Sequence, residues 1–288
     1  MPAAPPLTVL DLGCGSGLLA LLAARAGAAE VYGCDKAPGM AACAAQVVAD
    51  NGLGERVYII PKLSTAMTVA EEGRGSGAGG GDGGGDLPRL ADVLVSETFG
   101  DDPFSESFLP SLAHARAHLL RPHAPVIPYA LAVHAVVVES EELVALNFIT
   151  APVCGFDLRP WDIFARPRWS CRLLDHQTTA LTQPFEALTL DWSVPDVAVP
   201  LAACQRVCAE VTAAGRAHAV VAWYTLFLDK ESGAELSTAP SSPALHTGRH
   251  WRQAVFFLPR DEQTIKQAGE TIQVEARLVR DRLVFSVQ

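Results

Sequence analysis

Long apolar runs are missing from this sequence of 288 residues, although 49% of its residues are hydrophobic. The two longest runs lie around Val126 to Val138 and Ala217 to Leu228, and Pro128, His134 and His218 interrupt them. A helix that crosses a bilayer needs roughly 18 or more consecutive apolar residues. The sequence therefore predicts no membrane span, and its apolar content is enough for one large domain or two modest ones.

Cysteines are few, and their number is odd. The seven cysteines are scattered, which excludes a disulfide framework in a chain of this size. Cys204 and Cys208 form the one close pair, and their spacing would let them share a helix face. Without a second pair or suitably spaced histidines a zinc site is disfavoured, so we interpret them as packing residues and expect no metal.

Positive charge and targeting signals are also scarce. The start, MPAAPPLTV, lacks the basic segment of a secretory leader, so we expect the chain in the cytoplasm, the nucleus or both. A formal net charge of −10 argues against a nucleic-acid surface and is compatible with basic protein partners.

The first 127 residues alternate short apolar runs with helix-like stretches, the pattern of an α/β doubly wound parallel sheet. LTVLDL, VYGCD, RVYIIP and ADVLVSE are predicted strands, with helices over LLALLAARAGA, residues 38–51 and SLAHARAHLL. A glycine-rich stretch at 72–86 is predicted to be a flexible loop. From Pro128 the periodicity changes to two, as in YALAVHAVVVES, so a strand-rich domain is predicted over 128–288.

A glycine-rich turn joins the first predicted strand to the first predicted helix. Gly13, Gly15 and Gly17 lie in LDLGCGSGLL, where glycine lets the backbone approach a ligand closely. Asp35 ends the second strand, 22 residues after Gly13, where a carboxylate can accept bonds from both hydroxyls of a ribose. The third glycine comes one position earlier than in dinucleotide binders, and this resembles the S-adenosylmethionine-dependent methyltransferases.

Two glutamates nine residues apart, Glu97 and Glu106, follow the fourth strand in VLVSETFGDDPFSESFLPS. A guanidinium group pairs bidentately with carboxylates, so two glutamates that converge on one pocket suit arginine better than lysine. A solvated acidic loop is the alternative.

These motifs, together with STAPSSP and the later HWRQAVFFLP, resemble the protein arginine N-methyltransferases, in particular their monomethylating branch. The resemblance implies a methyltransferase domain at 1–127 and a β-barrel at 128–288, with an inserted helical dimerisation arm at about 150–180. It also implies a homodimer that methylates arginine in basic, Gly/Arg-rich or histone-like proteins, without direct contact with nucleic acid or membrane.

By the same resemblance, five residues would bind S-adenosyl-L-methionine: Asp11, Gly13, Gly15, Asp35 and Ser64. The family's two guanidinium-binding glutamates correspond to Glu97 and Glu106, which would neutralise and orient the substrate. The family's threonine-histidine-tryptophan loop corresponds to residues 249–251 and keeps its last two residues. His250 would support the glutamates, and Trp251 would wall the arginine slot.

Three alternatives stay open at this stage. Family members carry N-terminal helices over the cofactor, whereas the first strand here begins by about Leu7, which leaves room for a catalytically weak scaffold. A dimethylating member of the same family is the second alternative. A small-molecule methyltransferase is the third, although the paired glutamates and the barrel count against it.

Overall fold

The computed structural model describes residues 6–70, 85–194, 198–242 and 250–288. The predicted glycine-rich loop at 72–86 lies almost entirely outside the described residues, and so does Arg249 of the predicted substrate loop. Within the described ranges, every helix is too short or too polar to cross a membrane.

The first part of the chain forms a five-stranded parallel sheet. Its strands are β1 Thr8–Leu12, β2 Glu30–Cys34, β3 Val57–Ile60, β4 Val93–Ser96 and β5 Val126–Ile127. Three helices accompany them: α1 Leu18–Arg25, α2 Pro38–Asp50 and α3 Phe108–His118. The spatial order β3-β2-β1-β4-β5 reverses direction between β1 and β4, which opens a crevice at the carboxyl ends of those two strands.

Burial explains why these segments form strands and helices. All five residues of β1 are buried, as expected for a parallel strand covered on both faces. On α1, Ala20 and Ala24 are buried one turn apart, and these small side chains let the helix lie close to the sheet. The predicted α/β doubly wound fold is therefore confirmed in this part of the chain.

The second part is built from antiparallel strands. They are β6 Ala130–Glu139, β7 Arg168–Cys171, β8 Thr179–Ala180, β9 Phe185–Asp191, β10 Ala202–Glu210, β11 Gly215–Arg216, β12 Ala219–Phe227, β13 Glu235–Ser237, β14 Gln253–Phe257, β15 Ile265–Lys266, β16 Thr271–Val279 and β17 Arg282–Val287. One sheet has the order β7-β14-β12-β6-β8, and another has the order β10-β16-β17. β9 pairs with β6 and packs beside β10 and β16, so it links the two sheets of the barrel.

Short helical elements interrupt this barrel between β6 and β7. α4 Glu141–Asn147 is capped by Ser140, whose hydroxyl accepts from the Leu143 amide, and a 3₁₀ helix spans Arg159–Phe164. Phe156, Trp161, Ile163 and Phe164 are all exposed there. This is the place where the arm was expected; the limits of the arm and of the two domains stay predictions.

The two parts share one hydrophobic core. The Phe108 ring from α3 packs 5.1 Å from the Trp192 ring, whose indole N–H donates to the carbonyl oxygen of Pro128 at 2.7 Å. Arg116 of α3 also donates to the carbonyl oxygen of Trp192. These contacts fix the barrel against the last helix of the parallel sheet.

One interpretation of the cysteines was wrong. Cys204 and Cys208 lie on strand β10 rather than on a helix, and both are exposed. Residues four apart also share a face in a strand, because side chains alternate with a period of two. That face of β10 is turned to solvent, so these cysteines are not packing residues.

Candidate active site

Four predicted site segments meet at the carboxyl edge of the parallel sheet. The glycine turn follows β1, Asp35 follows β2, Ser64 follows β3, and Glu97 follows β4. Carboxyl ends of parallel strands share one edge, so residues far apart in the sequence come together there. The sheet order places the glycine turn between the Asp35 and Glu97 segments.

The glycine turn packs directly against the loop that follows β4. Gly13, Gly15 and Gly17 have φ values of 70°, 52° and 81°, in the left-handed region that favours glycine. A Cβ atom on Gly13 would clash with Cγ2 of Thr98. The Thr98 hydroxyl lies 3.0 Å from the Ser96 hydroxyl, which donates to the carbonyl oxygen of Leu12. The turn is thereby held next to Glu97.

Asp35 links the end of β2 to the glycine turn by a hydrogen bond. Its carboxylate accepts from the Gly15 amide at 3.1 Å and from the Ala37 amide at 2.8 Å. Each carboxylate oxygen has two lone pairs, so both keep capacity for a ligand hydroxyl. Ser64, by contrast, is 6% exposed and begins a 3₁₀ turn that packs near α3. Its contact with an adenine ring stays a prediction.

Asp11 is a buried carboxylate without a hydrogen-bond partner among the described residues. Neither oxygen makes a hydrogen bond, and the residue is 0% exposed. Burial raises the pKa of Asp11 to about 7; the charges of Asp35 and Glu97 add to the rise, and the nearby Ala20 backbone opposes it. A buried carboxylate without a partner is costly, so the site is suited to a cationic group that would pair with it.

Glu97 and Glu106 form the second acidic centre, on the β4 side of the glycine turn. Both residues reach the protein surface, although neighbouring atoms surround part of the Glu97 carboxylate. The pKa of Glu97 rises to about 6, first because neighbouring atoms shield its carboxylate from water and second because Glu106 repels its charge. His250 and the Phe99 amide oppose that rise. Glu106 and His250 therefore both lie close enough to act on the Glu97 carboxylate.

The loop between the two glutamates is fixed by a buried carboxylate that the sequence did not reveal. Asp102 is 2% exposed and forms an ion pair with Arg168 of β7. It also accepts from the Phe104 amide at 3.2 Å, while the Ser105 hydroxyl donates to its carbonyl oxygen at 2.8 Å. Asp102 and Arg168 are 66 residues apart, and no motif in the sequence pairs them.

The barrel closes the site from the other side. The Trp251 indole N–H donates to the carbonyl oxygen of Phe99 at 2.9 Å, and the Arg252 amide donates to the Asp101 carboxylate at 2.6 Å. The His250 ring lies 6.0 Å from the Trp251 ring in an edge-on arrangement. The structure thus brings His250 and Trp251 to the acidic pair.

The described residues include no cluster of three or more histidine, cysteine or acidic side chains that could hold a metal ion. Cys14 and Cys34 lie beside the turn, and burial raises the pKa of both thiols to about 12. Such thiols stay protonated at neutral pH, so they are poor nucleophiles. The polar chemistry of the site rests on carboxylates.

The sheet order, the glycine turn and the acidic strand ends define a methyltransferase fold, and a methyltransferase-domain family matches residues 9–72. Residues 131–285 match the arginine methyltransferase oligomerization subdomain. The chain therefore belongs to the arginine methyltransferase family, and the resemblance of its motifs to that family is confirmed.

Curated relatives agree with this assignment. An arginine N(omega)-methyltransferase of Streptomyces achromogenes is 35% identical over 92% of this chain and 66% of its own length. Protein arginine N-methyltransferase 7 of Aedes aegypti is 32% identical over 93% of this chain and 42% of its own length. The chain thus spans somewhat under two thirds of the first relative and less than half of the second.

Solved structures show the same fold. The Trypanosoma brucei PRMT1 enzyme-prozyme heterotetrameric complex with AdoHcy superposes with a TM-score of 0.76 at 24% identity, covering 98% of this chain and 83% of that one. Arabidopsis thaliana protein arginine methyltransferase 10 gives a TM-score of 0.67 at 21% identity, covering 94% and 79%.

Proposed function

We propose that this protein transfers a methyl group from S-adenosyl-L-methionine to an arginine guanidinium in proteins and gives monomethylarginine. The observation that carries the proposal is the position of Glu97 beside the glycine turn, where Gly13 contacts Thr98, with Glu106 close enough to raise the pKa of Glu97. Asp11 and Asp35 then bind the cofactor, and Glu97 and Glu106 bind the arginine.

The residues present fit the cofactor. Asp11 offers to an ammonium group a buried carboxylate that has no hydrogen-bond partner in the described ranges, and Asp35 offers two oxygens with spare lone pairs to ribose hydroxyls. The backbone of the glycine turn, free of side chains, allows close approach. When bound, S-adenosylmethionine would supply a sulfonium methyl group. The guanidinium nitrogen would take this methyl group as the carbon–sulfur bond breaks and S-adenosylhomocysteine leaves, and the nitrogen's proton would pass to the acidic pair.

Glu97 and Glu106 neutralise the positive charge of the arginine guanidinium. Guanidinium keeps its proton at neutral pH, and both reactants are cationic, so bringing them together is unfavourable without negative charge. Glu97 and Glu106 supply that charge and orient one nitrogen toward the cofactor side. Because the pKa of Glu97 is about 6, the empty site is partly protonated in mild acid, and an entering guanidinium displaces that proton.

Support for a monomethyl product comes from the relatives named protein arginine N-methyltransferase 7, which are 26–32% identical to this chain. The test is mass spectrometry of an arginine-rich peptide after incubation with the protein and S-adenosylmethionine. A product that gains two methyl groups on one arginine would contradict the monomethyl assignment and leave arginine methylation standing.

Free arginine is the second candidate acceptor. It is favoured by one observation, that the Streptomyces relative is named for arginine without the word protein. Parallel assays with the free amino acid and with an arginine-rich peptide separate the two. Turnover of the amino acid alone would overturn the protein-substrate proposal.

A catalytically weak scaffold is tested by binding rather than turnover. Calorimetric titration with S-adenosylhomocysteine should show binding to the cradle formed by Asp11, the glycine turn and Asp35. No detectable binding would overturn the proposal that this chain acts as an enzyme by itself.

We also propose that the chain forms a homodimer. The oligomerization subdomain matches here, and the segment around the 3₁₀ helix exposes Trp161 and Ile163 by 66% and 81%. In the parallel-sheet part of the chain, Leu18 of α1 and Met40 of α2 are exposed by 58% and 45%. These side chains provide an apolar surface for a second copy. Trp161→Ala should lower the mass measured by light scattering toward that of a monomer.

We further propose basic substrates and a place in the cytoplasm or nucleus. A net charge of −10 and an acidic site attract arginine-rich segments, and this attraction weakens with salt.

A further inference from the structure

One buried polar group near the site, the Tyr224 hydroxyl, has no hydrogen-bond partner among the described residues. The side chain of Tyr224, on strand β12, is 0% exposed, and its hydroxyl makes no hydrogen bond within the described residues. Leaving a buried hydroxyl without a partner costs stability that a phenylalanine would not cost. A tyrosine at this position therefore requires an explanation beyond packing.

The backbone of Tyr224 is fixed on both sides. Its amide donates to the Thr238 hydroxyl at 3.0 Å, and that hydroxyl lies 3.2 Å from the Tyr224 carbonyl oxygen, to which it donates. Thr238 belongs to the STAPSSP motif, and Gln253 donates to the Thr238 carbonyl oxygen at 2.9 Å. This motif thus holds Tyr224 in place from the neighbouring chain segment.

The ring of Tyr224 lies against the two residues that join the acidic pair to the barrel. Its centroid is 6.4 Å from that of Phe99 and 6.5 Å from that of Trp251, and the latter ring meets it edge-on. Phe99 follows Glu97 by two residues, and its carbonyl oxygen accepts the Trp251 indole N–H. The Tyr224 ring is therefore packed against the start of the loop that follows Glu97.

The electrostatics agree with this position. Burial raises the pKa of Tyr224, and the charges of Glu97, Asp101 and Glu106 raise it further, in that order. A phenol that stays protonated acts as a hydrogen-bond donor, and carboxylates are its preferred acceptors. Glu97 has the largest effect of the three carboxylates.

We propose that Tyr224 is a positioning residue for Glu97: its hydroxyl donates to one bound water, which in turn donates to the Glu97 carboxylate and holds it toward an entering guanidinium. This role rests on the proposed arginine methylation. It also explains why a fully buried phenol lies at a position where an apolar ring would pack as well. The residue acts through Glu97 and does not touch the reacting atoms.

The test is Tyr224→Phe, which removes one oxygen and keeps the ring. A hydrogen bond to a carboxylate favours its ionised form, so its loss should raise the pKa of Glu97 by roughly one unit. This is measured by NMR titration of carboxyl-labelled glutamate, with Glu97→Gln to assign the signal. Thermal stability should change little, and kcat/KM for an arginine peptide should fall about tenfold with its acid limb moved to higher pH.

Two further variants complete the design. Tyr129→Phe, in the same barrel, is the matched control and should leave the pKa of Glu97 unchanged. In a Glu97→Gln background, Tyr224→Phe should have almost no further effect on peptide affinity, because the acceptor charge has already been removed. An effect of the same size in both backgrounds would overturn the proposal.

The outcomes separate this proposal from the proposed function. A shifted pKa of Glu97 in a protein that methylates no arginine would support the role of Tyr224 and refute the function. An unchanged pKa in Tyr224→Phe refutes the role of Tyr224, whatever the activity.

Discussion

The carboxyl edge of the parallel sheet and the barrel face that covers it differ in what they supply to the site. Asp11, Asp35, Glu97 and Glu106 all belong to the sheet edge or the loops that follow it. The barrel supplies donors instead: the Trp251 indole binds the Phe99 carbonyl oxygen, and the Arg252 amide binds Asp101. One region carries the negative charge, and the other fixes the loop that bears it.

That difference predicts unequal effects of mutation. Changes at the sheet edge should remove binding or chemistry, because charge is lost where the ligands lie. Changes on the barrel face should weaken function by smaller factors, because they act through the geometry of the loop.

The largest effect is expected at the acidic pair. Glu97→Gln and Glu106→Gln should each lower kcat/KM for an arginine peptide by about 100-fold or more, because the guanidinium loses a charged partner. Steady-state kinetics at saturating cofactor measures this. Glu55→Gln, an exposed glutamate at the amino end of β3, is the matched control and should be silent. Retained turnover in both site variants would show that the pair is only a solvated loop.

Asp11→Asn should come next, with a loss of cofactor affinity of about 10- to 100-fold. This loss corresponds to one charge-assisted hydrogen bond, because the asparagine amide keeps the shape of the Asp11 carboxylate and loses its charge. Calorimetry with S-adenosylhomocysteine gives the measurement, and Asp50→Asn at the exposed end of α2 is the control. Equal affinity for Asp11→Asn and the wild type would remove Asp11 from the cofactor site.

Asp11→Asn should also raise the free energy of unfolding, although it lowers the affinity for the cofactor. The pKa of Asp11 is raised from 3.8 to about 7 in the folded chain, so ionisation favours the unfolded state as pH rises through that window. At about 1.36 kcal/mol per pKa unit, ionisation of Asp11 lowers the free energy of unfolding of the wild type by on the order of 4 kcal/mol. The Tm advantage of Asp11→Asn should grow between about pH 4 and pH 7 and then level off. An advantage that does not change with pH would contradict a buried, unpaired carboxylate.

A pH effect of intermediate size is expected at Glu97. Its pKa is about 6 in the free site, and guanidinium binding needs the ionised form, so kcat/KM should fall by up to about tenfold per unit below that pH. Rates measured between pH 5 and pH 8 with saturating cofactor test this. An acid limb near the ordinary glutamate value would show that Glu97 is neither shielded nor repelled by Glu106.

The smallest effect is expected on the barrel face. Trp251→Phe removes the hydrogen bond to the Phe99 carbonyl oxygen, worth about 1 kcal/mol, and should raise KM for the peptide several-fold. Trp161→Phe, in the exposed segment before β7, is the control in the same assay. A loss as large as that of Glu97→Gln would mean that the barrel takes part in catalysis directly.

Much of the fold was predictable from sequence periodicity. The run LTVLDL became β1 with all five residues buried, and the helical stretch after the glycine turn became α1, which ends at Arg25 before the predicted Gly27. In the second part, YALAVHAVVVES became β6. The periodicity of apolar residues indicates which face of a helix or strand is buried, and this periodicity can be read within a single segment.

Motifs in the sequence predicted the candidate site residues, whose roles stay predictions, but not the environment of those residues. Glu97, Glu106, His250 and Trp251 were identified from motifs, and the structure places them together. The Asp102–Arg168 ion pair escaped sequence reasoning because each residue alone is an ordinary charged residue. The cysteines of β10 were misread because spacing by itself does not show which face of a strand is exposed.

By itself, the sequence determined the order of strands and helices, the left-handed glycine turn, and the acidic residues at the strand ends. These depend on side-chain size, backbone freedom and periodicity within a few residues. Only the tertiary structure decided that Asp11 is buried without a partner among the described residues, that Tyr224 packs against Phe99, and that the barrel fixes the loop of the acidic pair. Burial and electrostatic shifts depend on atoms from distant parts of the chain, and packing of the sheet edge against the barrel is what brings those atoms together.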